Sequence, residues 1–574
     1  MRVRLLFGVY LLLVPATARA EAQRGDSLSV LNAARHAQSA FERTRRHNIP
    51  IVDDQDDPQH CEVEIGRMCY WQAGSDDKPV AEPRSITQAR LELIARLARL
   101  NALSPRDSWI SGQLVRYMVE SGEDSAARAV VRTCASVHWY CKALEGYVLH
   151  EAEDYAGAAA AFDSALADMP AAERCRWNDI SLLLNDDERG RYERIPCGQR
   201  DSVERMFWQL ARPSFVVNGN DRRTEHFSRV VLADLCENAE NAYDMNWGAD
   251  MREMLIRYGP PGWYTKGRMQ SFQSIPMPVG HSKSPSFHFA ADIDGDSVHW
   301  DAYAPIARER YAPPYMDTLT QLDVQFAMLK RGDSALVVAV YANPVADSAA
   351  DRAFLGVSGV ARDSGAADTT EERVRRVRTA WKGMMVAMET FNPTSRIDAR
   401  AREWLEPPPH ARGAPDVSTL LLFSADSSEP AETLDDVLRH ALTNNELRGS
   451  HRLGLYWEVY GDDTPATPAP TMPDSSPDTT VTRETPADDS ASVVVTVVRT
   501  DGGVMRWLGQ ALHLTSKDSP LAVRWHDVRD ATGVAAHSVS LDLSQLPRGN
   551  YRVSVAMGTD PEHRTEVARD IRLR

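Results

Sequence analysis

The chain has 574 residues, 43% of them hydrophobic and 25% charged, and a formal net charge of −16. That length exceeds what one hydrophobic core spans, so several domains are expected, and the composition is that of a folded chain. The negative balance repels phosphate backbones and anionic headgroups, which excludes a general nucleic-acid or anionic-membrane binder.

Arg2 and Arg4, the apolar run from Leu5 to Val14, and Ala18-Arg19-Ala20 have the pattern of a cleavable secretory signal over residues 1–20. The apolar run is too short to span a bilayer, and no later run reaches the ~20 apolar residues a membrane helix needs. The expected location is therefore periplasmic or extracellular, with no membrane span. Six of the seven cysteines fall in local pairs, Cys61/Cys69, Cys134/Cys141 and Cys175/Cys197, which suit disulfides in an oxidising space; Cys236 stands alone. None lies in a CxxC, so neither structural zinc nor a thioredoxin-type site is expected.

Residues 21–84 are polar and irregular, and "CEVEIGRMCYW" suits two short strands closed by Cys61 and Cys69. Over residues 85–174 the apolar spacing becomes helical, beginning with "ITQARLELIARLARLNAL". Two helix–turn–helix designs follow, the first turning at Gly122. In the second, Gly146 and Ala158 are small where two helices must touch, and Phe162 fills the next layer. Gly146, Tyr155, Ala158, Phe162, Ala165 and Pro170 resemble the signature positions of a tetratricopeptide repeat, and Ala127 to Ala158 gives a period of 31. A plain bundle of helical hairpins is the alternative.

Cys175 to Arg200 reads as a disulfide-tied connector, and the segment from Asp201 to Gly248 as one or two amphipathic helices. Then comes "MREMLIRYGPPGWYTK", read as an apolar strand stopped by Gly259-Pro260-Pro261, because consecutive prolines end sheet pairing. "SFHFAADIDGDSVHWDAYAP" reads as a hairpin turning at Asp294-Gly295. Two antiparallel β-sandwiches are predicted after it, over 316–412 and 413–574. The first includes a hairpin about Arg331-Gly332-Asp333; the second carries a disordered Thr/Pro-rich loop at 462–491.

"NWGADMREMLIRYGPP", Asn246 to Pro261, resembles the signature of the GWxTD-domain family of bacterial secreted proteins. Trp247, Asp250, Leu255, Ile256, Tyr258, Gly259, Pro260 and Pro261 match in register, while Asn246 and Ala249 replace the eponymous Gly and Thr. Upstream, Phe207-Trp208, Pro213, Arg223, Glu225 and Arg229 also fit. The resemblance implies an α/β module over 175–315, with tetratricopeptide-like repeats before it and β-sandwich strands after it. It implies no activity.

Templates for chemistry fail in turn. "GWYTKGRM" has Arg268 and Met269 where a phosphate loop needs Lys and Ser or Thr. "DIDGDS" has Gly295 at position four and Tyr303 at twelve, unlike an EF-hand loop. His281, His288 and His299 lack metal-ligand spacing, "HEAED" at His150 lacks a second His, and "GVSGV" at Gly356 is no nucleophile elbow. No catalytic residue, metal or cofactor is assigned. The candidate binding residues are Trp247, Asp250, Arg257, Tyr258, Gly259, Pro260, Pro261, Trp263 and Tyr264. On one reading they are structural, with Trp247 packing inward and Asp250 capping a turn or pairing with Arg257. On the other, Tyr258, Trp263 and Tyr264 form an aromatic wall that grips sugar or peptide.

The sequence thus predicts a multidomain α+β protein of the bacterial envelope: helical repeats, an α/β module, then antiparallel sandwiches. Its expected role is non-enzymatic binding or scaffolding of an envelope protein partner, since helical repeats offer concave peptide-binding surfaces. The competing class is a hydrolase of envelope polysaccharide or peptide, or a carbohydrate-binding protein, with its cleft near Trp247–Tyr264.

Overall fold

A computed structural model describes residues 16–52, 63–72, 79–184, 186–267, 278–282, 313–342, 352–357, 360–366, 374–409, 415–425, 431, 433–447, 452–460, 490–500, 521–528, 534–558 and 564–574. The fold is mixed α+β, with helices gathered in the N-terminal half and strands in the C-terminal half. Two compact units emerge. The first comprises Met1–Pro213, Val217–Asp301 and Ile306–Pro314; the second comprises Ser214–Val216, Ala302–Pro305 and Tyr315–Arg574. Among the described residues no helix is long and apolar enough to cross a membrane.

The first unit begins with α1 (Ala16–Asn48), α2 (Arg84–Leu103), α3 (Ser108–Glu120), α4 (Asp124–Arg132), α5 (His138–Glu151) and α6 (Tyr155–Asp168). Short polar side chains start several of them. Asp107 accepts from Ile110 N at 3.0 Å at the start of α3, and Asp154 accepts from Gly157 N at 2.9 Å at the start of α6. Gly122, at φ +71°, turns the chain between α3 and α4 as its sequence position suggests. The α5–α6 hairpin depends on Gly146, where a Cβ would lie 2.8 Å from the Phe162 ring.

The chain continues through α7 (Ala171–Asn178), α8 (Asp186–Tyr192), α9 (Asp201–Ala211), α10 (Asp221–Glu237) and α11 (Ala249–Tyr258). Cys134–Cys141 and Cys175–Cys197 are disulfides, and Cys236 is a buried free thiol. Cys61 and the side chain of Cys69 lie outside the described residues. The backbone around Cys69 does form the expected hairpin, β1 (Val63–Ile65) against β2 (Met68–Gln72). Strands β3 (Trp263–Lys266) and β4 (Pro278–Ser282) complete a four-stranded sheet of order β1-β2-β4-β3. The proposed hairpin at 286–305, with Asp294, His288 and His299, lies outside the described residues.

One element is corrected outright. The apolar stretch before Gly259 is helix α11, not a strand. Met251, Met254, Leu255 and Tyr258 recur at the spacing of one helical face, and all four are buried. Gly259-Pro260-Pro261 is then helix-stop chemistry: a glycine with positive φ just past the last turn, followed by residues that cannot continue it.

The second unit is built from sheets. One has order β10-β7-β6, from β6 (Val324–Arg331), β7 (Ser334–Tyr341) and β10 (Val374–Ala380). A second has order β5-β12-β11-β8-β9, from β5 (Thr318–Gln321), β8 (Arg352–Val357), β9 (Val360–Ala366), β11 (Met384–Asn392) and β12 (Ile397–Leu405). A third sets β13 (Asp416–Val417), β14 (Leu421–Ser424) and β19 (Val534–Asp542) around β16 (Arg452–Tyr460). The fourth has order β15-β21-β20-β17-β18, from β15 (Glu446–Leu447), β17 (Ser490–Arg499), β18 (Leu521–Val528), β20 (Gly549–Gly558) and β21 (Arg564–Leu573).

Alternation along β7 shows how these sheets stack. Ala335, Val337, Ala339 and Tyr341 enter a core with β11 and β12 residues, whereas Val338 and Val340 enter one with β14, Tyr456 and helix α12 (Leu434–His440). A third core joins β16 to β17, β20 and β21. The β6–β7 sheet is therefore covered on both faces, which is why "ALVVAVY" is almost continuously apolar. The expectation of purely antiparallel pairing is also corrected, because β5 runs parallel to β12 and β15 parallel to β21. The residues of the Thr/Pro-rich tract at 461–489 lie outside the described residues.

Buried charges lock two of these layers. Glu458 receives both Arg331 nitrogens, at 2.5 and 2.9 Å, and the hydroxyls of Tyr456 and Tyr460, each at 2.9 Å. Glu389 pairs with Arg402 at 2.9 Å and accepts from Phe215 N, which draws Ser214–Val216 onto β11.

The Cys175–Cys197 bridge, 22 residues apart, closes the connector between α7 and α9. Replacing both cysteines by serine is expected to cost about 3 kcal/mol by the loop-entropy relation, measured by urea unfolding. An unchanged midpoint would show that the bridge does not hold the connector.

Candidate functional site

The site starts from the end of α11. The last carbonyls of a helix lack intrahelical donors, and here Arg229 from α10 supplies them. Its Nη1 donates to the carbonyls of Ile256 at 3.0 Å and Arg257 at 2.9 Å. Glu225, one turn earlier on α10, fixes the guanidinium through Nε at 2.7 Å. Glu225 is in turn bonded to His150 Nε2 of α5 at 2.6 Å. Burial alone would lower the His150 pKa, but the Glu225 carboxylate outweighs it and raises it. Gly259 sits directly over this cation at φ +78°, with any Cβ only 3.1 Å from Arg229 Nη2.

The motif residues part company from here. Asp250 does not pair with Arg257. It accepts Arg67 Nε at 2.7 Å and Nη2 at 2.8 Å, fastening the β1–β2 turn to the start of α11. The Arg67 hydrogen bonds, opposed by modest burial, hold its carboxyl below the usual range. Gly66 and Gly248 flank this pair closely: a Cβ on Gly66 would lie 2.8 Å from Asp250, and one on Gly248 2.7 Å from Arg67. Arg257 pairs instead with Glu253 at 2.8 Å. Tyr258 turns into a small core with Met68, Met251 and Met254, so it is not part of an aromatic wall.

Trp247, Gly259, Pro260, Pro261, Trp263 and Tyr264 do share a destination. They line a cavity of about 510 Å³ within the first unit, inside the range of ~300–1,000 Å³ typical of small-molecule pockets. Trp263 stacks on His281 at 5.4 Å, and Thr265 Oγ1 meets His281 Nε2 at 2.8 Å, so β3 and β4 hold this wall together. Gly280 completes it, since a Cβ there would lie 2.5 Å from both Pro261 Cγ and the Tyr243 hydroxyl.

The facing wall comes from helices far earlier in the chain, and it is charged. Arg45 of α1, Arg90 of α2, Arg116 and Glu120 of α3, and Tyr147 of α5 all line the cavity. Glu120 accepts from Arg45 and forms an ion pair with Arg90 at 3.2 Å, while Arg90 also pairs with Glu82. Enclosure would raise the Glu120 carboxyl, yet the three arginines outweigh it and hold it below its ordinary value. Glu42 lies behind, accepting from the Tyr117 hydroxyl at 2.7 Å. Burial pushes the Cys236 thiol and the Tyr147 phenol up, which keeps both in their neutral forms.

Residue-level reading of the sequence missed these helix residues. The available signal was in α3, which buries every residue from Ile110 to Met118 and still carries Gln113 and Arg116. A helix apolar on all sides rarely keeps an arginine without a use for it. Among the described residues no group of three His, Cys, Asp or Glu side chains is placed to hold a metal ion.

No family model and no curated protein matches the chain. Among solved structures, similarity is found to a protein from Corynebacterium diphtheriae described as membrane anchored, at 9% identity and a TM-score of 0.14. The match covers 43% of this chain and 58% of that one, so the chain spans less than two thirds of its length. At that score the likeness carries no argument.

The junction at Gly259 gives a direct test. Gly259→Ala is expected to cost about 1–3 kcal/mol, because the new side chain must take a backbone region nearly reserved for glycine and displace Arg229. Urea unfolding measures it, and a loss under a few tenths of a kcal/mol would show that the tight junction is not needed.

Proposed function

We propose that this is a secreted bacterial envelope protein that binds a small ligand without transforming it. The binding place is the cavity between the Gly259–Tyr264 wall and the α1–α3 and α5 wall, and the single supporting observation is that cavity. Its aromatic residues and methionines offer apolar contact, while its arginines, tyrosines and glutamates offer directional contact. The chemistry of the wall supports binding over nucleophilic catalysis, since Cys236 and Tyr147 are held protonated.

The remaining parts fit such a role. The α3–α6 hairpins are read as tetratricopeptide-like, their small residues allowing the helices to close around one side of the cavity. The stacked sheets of the second unit are read as sandwich modules that present an envelope protein partner with a rigid surface. The two disulfides fit an oxidising compartment, and a cleaved signal over residues 1–20 would deliver the chain there. The resemblance of Asn246–Pro261 to the GWxTD signature supports a bacterial secreted protein.

The test is a thermal-shift screen of the purified protein with amino acids, short peptides, muropeptides and oligosaccharides. At least one class is expected to raise the melting temperature, and Val80→Trp, which fills the cavity from a half-buried position, is expected to abolish the shift. Binding unaffected by Val80→Trp, or turnover of a bound compound, would overturn the reading.

A further inference from the structure

Arg116 stands apart from the other cations of the cavity. Arg45 and Arg90 are each directly paired with carboxylates, both with Glu120 through Oε1 and Arg90 also with Glu82. Glu42 is occupied by Tyr117 and lies 3.6 Å from Arg45 Nε. Arg116 is 8% exposed, and among the described residues it has no carboxylate in ion-pair range. Its own contacts are weak: Nη1 reaches Gln113 Oε1 at 3.3 Å, and the guanidinium lies over the Tyr117 ring at 5.0 Å. A guanidinium offers five donors and cannot shed its charge, so burial without a direct partner is costly. Tyr147 lines the same cavity at 4% exposure, and its hydroxyl has no hydrogen-bond partner among the described residues.

Resting on the cavity-binding reading above, we propose that the ligand is a small organic carboxylate with an aromatic or aliphatic body. Its carboxylate is bound by the Arg116 guanidinium, assisted by the Tyr147 hydroxyl, and its body lies against Trp263, Tyr264, Met254 and Leu255. A planar carboxylate matches the fork of one guanidinium and one phenol. A phosphate dianion fits less well, because Glu82, Glu120 and Glu151 line the same cavity and would oppose a second negative charge. Hydrogen bonds that reach no protein acceptor are thus completed by the ligand.

The experiment uses the whole chain and three probes: phenylacetate, its neutral counterpart phenylacetamide, and phenyl phosphate. Calorimetric titration is expected to show phenylacetate bound at least about tenfold more tightly than either counterpart. Arg116→Met is expected to remove that preference while leaving weak amide binding intact, and Tyr147→Phe to reduce it in part. The ligand-free Arg116→Met protein is expected to melt at the same temperature or higher, because a buried cation without a direct ion pair has been removed. A fall of several degrees would show that Arg116 is structural, and equal affinity for acid and amide would overturn the carboxylate assignment. Binding that discriminates nothing yet vanishes in Val80→Trp would leave the cavity reading standing and refute this one. No binding of phenylacetate would refute this proposal alone, and binding indifferent to Val80→Trp would refute both.

Discussion

The cavity depends on the cap that Arg229 puts on α11. One guanidinium donates to two carbonyls at the end of that helix, where intrahelical donors run out. Because the cation is anchored by Glu225, and Glu225 is bonded to His150, the helix end is fixed against α5 as well as α10. Gly259 can turn sharply only because nothing but a hydrogen occupies its outward position. The two prolines then launch the chain into β3, and Trp263 and Tyr264 arrive at the cavity with little freedom. Asp250 and Arg67 secure the other end of the same helix.

The two walls are made by different physics. The Gly259–Tyr264 wall is shape: close glycines, prolines and stacked rings. The helical wall is charge, with arginines of three helices meeting Glu120 of α3 and Glu82 just before α2. Such clusters are poor sources of stability, since desolvation offsets much of the pairing. Their value lies in fixing geometry and, at Arg116, in leaving one cation available. The second unit uses buried charge differently. Glu458 with Arg331, and Glu389 with Arg402, are closed pairs that hold sheets and a three-residue strap in register.

Much of the local structure is legible in the sequence. Apolar spacing gives the α2 to α6 helices and Gly122 marks a turn between two of them, while Arg331-Gly332-Asp333 marks the β6–β7 hairpin turn and alternation marks most strands of the second unit. Both cysteine pairs that fall within the described residues are disulfides, as sequence proximity in an oxidising context suggests. Helix α11 was misread because "MLI" followed by Gly-Pro-Pro looks like a buried strand, although Met251, Met254, Leu255 and Tyr258 carry a helical period. Of the candidate residues, Trp247, Gly259, Pro260, Pro261, Trp263 and Tyr264 reach the cavity, whereas Asp250, Arg257 and Tyr258 hold the frame around it. Arg116 is signalled only as an arginine in a largely apolar helix, and Tyr147 not at all, because both come to the cavity through the packing of α3 and α5. Of the two roles read for Asp250, capping a turn or pairing with Arg257, the pairing does not form; its arginine is Arg67, 183 positions away.

The central claim is that Arg229 holds the Gly259–Tyr264 segment as a wall of the cavity. Hydrogen–deuterium exchange over residues 255–266, compared between the native chain and Arg229→Met, tests it most directly. The account expects faster exchange from Gly259 to Lys266 in the variant, with α3 and α5 as protected as before. Unchanged protection of that segment would contradict it.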